Sequence, residues 1–201
     1  GATLPAGVNE DVQFNNNGVF GAASLKYRPS TSSSWNRGTN NISSNTVFGE
    51  DAMRSTTGSG NTVYGYQSYY TSGSTGGFNS VMGYQSLYSN TTGSNNTAIG
   101  YGSQNAVTTG SYNTSLGHST MQNITTTSYN TALGYQAMLN SASAGYSTAV
   151  GYQVLYNETS AGAFNTGVGS FALTDTTSGL ANSGLGLMAL RGNKTGSYNT
   201  G

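Results

Sequence analysis

A nine-residue phrase, Asn130-Thr131-Ala132-Leu133-Gly134-Tyr135-Gln136-Ala137-Met138, recurs in loosened form from residue 45 to residue 201. Its first position falls at Asn45, Asn61, Asn79, Asn96, Asn113, Asn130, Ser147, Asn165, Asn182 and Asn199, so the step from copy to copy is nearly constant. A fixed period of this kind marks a solenoid or array, in which each unit buries its apolar face only by stacking on its neighbours. A disordered low-complexity segment has the same Ser/Thr/Asn/Gly/Tyr richness. It has no reason to hold one phase over nine intervals.

The columns of the repeat specify the unit. A glycine stands in every copy, at Gly49, Gly65, Gly83, Gly100, Gly117, Gly134, Gly151, Gly169 and Gly186. The residue before it is always large and apolar: Phe48, Tyr64, Met82, Ile99, Leu116, Leu133, Val150, Val168 and Leu185. Two before it the residue is small or β-branched, from Val47 to Gly184. Four after it stands an apolar column from Met53 to Leu190, with Gln104 as the polar exception. No apolar spacing of 3.6 residues persists long enough for a helix. The unit reads as strand, glycine corner, second short strand and polar loop. It is one coil, of about 17 residues, in an all-β, parallel β-solenoid or β-roll. The glycine marks a corner needing positive φ or close approach of neighbouring chain. The Asn column suits a turn in which the side chain bonds its own backbone.

Adjacent strand residues such as Ala132 and Leu133 point to opposite faces. Both faces are apolar, and a coil this short cannot bury both. One face fills the coil and the other needs a partner, so the pre-glycine column is expected to be a core or subunit-contact ladder. Closed cyclic symmetry is the default for identical chains, and three-fold symmetry suits a fibre.

Residues 1–44 lie outside the repeat and form a leader; residues 45–201 form the coil array. Asp11 to Gly21 reads as a β-hairpin turning at Asn15-Asn16-Asn17-Gly18. Leu25-Lys26-Tyr27 reads as a short strand, and Arg28 to Gly38, with the single Trp35, as a loop. The chain does not start with Met and stops inside its last repeat, so it is expected to be a piece of a longer polypeptide.

Charge narrows the function classes. Charged residues make up 6% of the chain, and residues 55 to 157 contain no Lys, Arg, Asp or Glu. Nucleic-acid binding depends on neutralising phosphates with Lys and Arg, and anionic membranes attract the same residues, so neither is an expected partner. No apolar run is long enough to span a bilayer as a helix. The absence of cysteine excludes disulfides, thiolate metal sites and cysteine nucleophiles.

The candidate sites are few. His118 has no acidic residue within thirty positions, and a general base needs a nucleophile or carboxylate near it. Glu158 and Asp175 are separated by one average period, and would approach one another on successive coils. Two carboxylates are a poor start towards the six to eight oxygen ligands of a calcium site. Glycoside cleavage needs two placed acids, which the central coils lack. No catalytic residue, metal ligand or cofactor is assigned, and the chain is not expected to be an enzyme. The residues after the glycine, Tyr66, Tyr84, Tyr101, Tyr135 and Tyr152, are candidate surface contacts, whose rings either stack on sugars or stack on one another. A second aromatic column contains Phe78, Tyr112, Tyr129, Tyr146, Phe164 and Tyr198. The regular column from Thr46 to Thr200 lacks the second, adjacent threonine column of a flat ice-binding array.

Asn96-Thr97-Ala98-Ile99-Gly100-Tyr101 and the phrase at Asn130 to Met138 resemble the head repeats of trimeric autotransporter adhesins, which also occur in bacteriophage tail fibres. The resemblance covers residues 45–201 and implies a three-chain parallel β-roll. The usual coil of that family is shorter, which implies a longer loop here. Val12 to Gly21 resembles a short module of phage tail-fibre proteins and favours a viral source. The resemblance implies the structural shaft of a homotrimeric tail fibre, located on the virion and involved in host attachment. Its implied partners are further copies of itself, other fibre or virion proteins, and a host cell-surface glycan or protein reached through a distal region. The alternative is the head of a bacterial surface adhesin, located on the cell surface.

Overall fold

The computed structural model describes residues 35–36, 44–54, 56–141, 145–159 and 163–201. The hairpin expected at 11–21 and the strand expected at 25–27 lie outside the described residues. Ten short strands form one sheet in sequence order. They are β1 (Trp35–Asn36), β2 (Thr46–Phe48), β3 (Thr62–Tyr64), β4 (Ser80–Met82), β5 (Thr97–Ile99), β6 (Thr114–Leu116), β7 (Thr131–Leu133), β8 (Thr148–Val150), β9 (Thr166–Val168) and β10 (Ser183–Leu185). No helix occurs among the described residues.

From β2 to β10 every pairing is parallel and in register, so each strand residue lies against its counterpart one coil on. Thr131 faces Thr114 and Thr148, and Leu133 faces Leu116 and Val150. This is a β-solenoid, and Ser183 continues it by bridging to Thr200. The first coil is met by β1, which runs antiparallel to β2 with Trp35 opposite Phe48. Residues 35 and 36 are therefore strand rather than the loop their polar setting suggested.

The residue at the centre of each strand points into the coil. Val47, Val63, Val81, Ala98, Ala132 and Ala149 are all buried core residues. The expected second strand after the glycine does not form; that segment is a turn in every described coil. There the second and fourth residues after the glycine take left-handed backbone angles, as at Gln136 (φ 53°) and Met138 (φ 55°). A left-handed conformation costs an L-residue roughly 1–2 kcal/mol. It also swings the fourth side chain inward, and Met53, Leu87, Met121, Met138, Leu155 and Leu173 are fully buried. Burying such a side chain returns roughly 1.5–3 kcal/mol, which offsets the backbone cost. Apolar alternation alone does not separate this zigzag from a strand.

The turns still pair between coils. The Met138 amide donates to the Val154 carbonyl at 2.9 Å, and the Gln136 amide to the His118 carbonyl at 3.0 Å. A further inward column lies seven positions after the glycine in most coils: Thr56, Asn90, Val107, Ile124, Ser141, Glu158 and Thr176, with Ser74 equivalent in the longer second coil.

The Asn column is also buried from Asn45 to Asn182, and its side chains bond chiefly between coils, although Asn130 also donates to the Ser128 carbonyl of its own turn at 3.3 Å. Each carboxamide oxygen accepts the backbone amide of the Asn one coil on: Asn79 to Asn61 at 2.9 Å, Asn96 to Asn79 at 2.9 Å, Asn113 to Asn96 at 3.0 Å. The amide nitrogen donates to a backbone carbonyl in the same coil's loop, as Asn96 does to Gly110 at 2.9 Å. The ladder thus satisfies backbone groups that no water reaches. The left-handed residue is the one before it, for example Tyr129 (φ 65°).

The corner glycine meets two constraints at once. Gly134 has φ 129°, and a Cβ placed on it would lie 2.2 Å from the Gly151 carbonyl oxygen. Positive φ and backbone contact both exclude a side chain there. The whole column from Gly49 to Gly186 shares this backbone conformation.

Candidate functional site

The most unusual surface of the chain is the outward face of the parallel sheet. Because strand residues alternate, the threonine before the buried centre and the large residue after it share that face. The column Phe48, Tyr64, Met82, Ile99, Leu116, Leu133, Val150, Val168 and Leu185 is therefore outward and unbroken. None of it is buried: Leu116 is 45% exposed and Leu133 41% exposed, whereas Ala132 between its strand neighbours is 1% exposed. Phe48 and Tyr64 stack at 4.7 Å. The larger apolar side chain sits outside in each of the nine strands.

Beyond the corner lies the tyrosine column. Tyr66, Tyr84, Tyr101, His118, Tyr135 and Tyr152 form a continuous stack, with successive centroids between 4.8 and 5.3 Å. His118 takes a rung between Tyr101 and Tyr135, and its Nδ1 pairs with the Ser119 hydroxyl at 2.9 Å. Phe171 closes the stack edge-on against Tyr152. A second stack runs Tyr112, Tyr129, Tyr146 and Phe164 at 4.9 to 5.1 Å. Rings this close occupy one another's faces. No sugar ring fits between them, so these columns offer ring edges and phenol hydroxyls to a partner. Two carboxamide pairs run beside them, Gln85 to Gln67 at 2.9 Å and Gln153 to Gln136 at 2.8 Å.

The charged candidates do not converge. Glu158 and Asp175 were expected level with one another on successive coils, but the coil between Gly151 and Gly169 is one residue longer than those on either side. The Thr159 amide accordingly bonds the Thr177 carbonyl, which sets Glu158 level with Thr176. Asp175 instead approaches Arg191, at 4.0 Å on the surface. Among the described residues no three His, Cys, Asp or Glu side chains gather as a metal site would require.

Glu158 itself is the residue that sequence reasoning misplaced. It is buried, with Oε1 accepting from the Asn165 side chain and from the Ser147 hydroxyl, and with Oε2 unpartnered among the described residues. Burial pushes its carboxyl up to about 7, partly opposed by those two hydrogen bonds. The signal available in the sequence was Ser147, the one position where the Asn column lapses.

Gln104 is a contrasting polar intrusion. Its amide nitrogen donates to Ser115 at 2.8 Å and to the Thr97 carbonyl at 2.9 Å, and Ser115 also meets Ser103. Ser115 is the polar exception in its own column, so the two exceptions answer each other.

The chain matches no protein family model, no curated protein and no solved structure.

Proposed function

We propose that this chain is a structural shaft, in which three copies pack in parallel through their outward apolar ladders to form a fibre. The observation that carries the reading is that ladder, in register from Phe48 to Leu185 and open to solvent on a single chain. Fully burying one Leu contributes roughly 1.5–3 kcal/mol, and a half-exposed one still stands to gain about half of that. Nine such rungs rival the roughly 5–15 kcal/mol of net stability of an ordinary domain. The face is uncharged from Thr56 to Asn157, so nothing opposes close approach of identical copies. The resemblance of the repeats to tail-fibre and adhesin repeats supports the same reading. The shaft would hold a distal attachment region away from a virion. No catalytic role is proposed for it.

Cysteine crosslinking tests the assembly, because the chain has no cysteine of its own. Leu133→Cys is expected to join chains in register under mild oxidation, and Ser128→Cys to leave them separate. Equal crosslinking in both variants contradicts the packing. Immunogold labelling with antibody to the coils tests the location. Labelled tail fibres support the viral reading, and labelled bacterial surfaces point to an adhesin instead.

A further inference from the structure

The buried Asn ladder has one lapse, and a carboxyl group occupies it. In intact stretches the Asn amide nitrogen also donates to the carboxamide oxygen of the coil before, as Asn182 does to Asn165 at 3.2 Å and Asn79 to Asn61 at 3.1 Å. Asn165 has no such oxygen behind it, because Ser147 stands there. Its amide nitrogen donates instead to Glu158 Oε1 and to the Gly179 carbonyl, the latter at 2.8 Å. The Ser147 hydroxyl accepts the Asn165 backbone amide at 3.2 Å and donates to Glu158 Oε1 at 3.4 Å. Glu158 Oε1 therefore stands in for the missing carboxamide oxygen, and the ladder is completed only while the carboxyl stays inside.

The second oxygen makes that position conditional. Oε2 is buried and has no hydrogen-bond partner among the described residues. The neutral acid places its proton on Oε2 and leaves Oε1 as the acceptor that the ladder requires. The ionised form puts charge on a buried oxygen with no donor among the described residues, a costly burial. Among the described residues no cation lies against it: burial raises this carboxyl, and only the Asn165 and Ser147 hydrogen bonds oppose that rise. Asp175, in the following coil, faces Arg191 of the coil after it at the surface, and Lys194 is exposed in the same coil as Arg191. Tyr146 and Tyr152 project outward and Tyr156 is half-buried. An ionised Glu158 is relieved only by reaching solvent, which breaks the contacts of its own coil.

We propose that the contacts of Glu158 with Ser147 and Asn165, between β8 and β9, form a proton-controlled seam in the solenoid: they are closed while Glu158 is protonated and open locally when Glu158 ionises, with the neighbouring coils staying shut. The inference does not depend on the fibre reading, because it concerns contacts within one chain.

Amide hydrogen exchange on the intact protein, corrected for the intrinsic pH dependence of exchange, reads the seam directly. Thr148 and Leu155, which donate to Asn165 and Ala172, report on this coil; Thr97 and Leu87, which donate to Asn113 and Ser103, are references. From pH 5 to pH 8, protection is expected to fall about tenfold or more at Thr148 and Leu155 and to hold at Thr97 and Leu87. Glu158→Gln keeps an oxygen for Asn165 and has no titration, so its profile is expected to be flat. The paired change Ser147→Asn with Glu158→Thr restores the ordinary occupants of both columns and serves if the Gln variant fails to fold. A wild-type profile that is flat, a fall of equal size at the reference amides, or an unchanged fall in the folded variant overturns the proposal.

Discussion

The two faces of the same three-residue strands follow opposite rules of size. Inside, the column runs from Val to Ala to Gly, and Gly167 has the Val154 side chain where its own Cβ would go. Outside, it holds Phe, Tyr, Met, Ile, Leu and Val at every rung. A coil this short encloses so little volume that its interior admits small residues from the strand once the turn has supplied a Met or Leu. The outward face carries no such limit, and its large side chains are the feature from which the fibre is proposed. The inner ladder makes the coil, and in the proposed fibre the outer ladder makes the contact between chains.

The strongest way to break this comparison is to charge each face in turn. Replacing Ile99, Leu116 and Leu133 together by Asp is expected to abolish the assembled state, read by size-exclusion chromatography with light scattering. Ala132→Asp places one unpaired charge inside and is expected to abolish the fold itself, read by circular dichroism. If the triple variant still assembles, the outer ladder is not the contact.

Corner geometry ranks next. Gly134→Val drives a β-branched side chain into the Gly151 carbonyl at a positive φ, and should cost on the order of 4 kcal/mol or more. Ser128→Val, in the loop, removes the hydroxyl that accepts the Ser111 amide at 2.9 Å and should cost about 1 kcal/mol. Denaturant midpoints that coincide for the two variants would contradict the corner's role.

The pH dependence of global stability follows from Glu158. Its folded value of about 7 lies above the ordinary 4.5 that stands for the unfolded chain. Its contribution is therefore complete below about pH 4.5, declines as pH rises to about 7, and is level above that. A shift of this size corresponds to roughly 3 kcal/mol. Urea titrations of the wild type and Glu158→Gln across this range check it, and a wild type that gains stability from pH 5 to pH 8 contradicts it.

A smaller contrast separates the faces by volume. Ala132→Leu should cost about 1–3 kcal/mol by overpacking the interior. Leu133→Ala should leave the coil intact and weaken only the association between chains. The smallest expected effect is that of salt. With no charge from residue 55 to residue 157, assembly should be nearly unchanged between low and molar NaCl, because there is little to screen.

Much of this was legible in the residues. The period and the glycine corner are set by single residue types, and the two strand columns by residue size and polarity, each with a physical reason to recur. Which strand face lies inside was not legible, since Ala132 and Leu133 are both apolar and their sizes point the wrong way for a core. The left-handed turn reads as a strand in sequence because an apolar residue four positions after the glycine, such as Met138, fits either conformation. The inner column from Thr56 through Ile124 to Glu158 shares no property that a sequence pattern could detect. Glu158 was set beside Asp175 because one coil is a residue longer than its neighbours. The ladder role of Asn was hidden too, since its bonds reach the next coil rather than the next residue.

Sedimentation equilibrium on the intact chain at micromolar concentration tests the central claim most directly. The account predicts a single species of three times the 20.6 kDa chain mass. A stable, well-folded monomer rich in β-signal, with Leu116 and Leu133 in water, would contradict it.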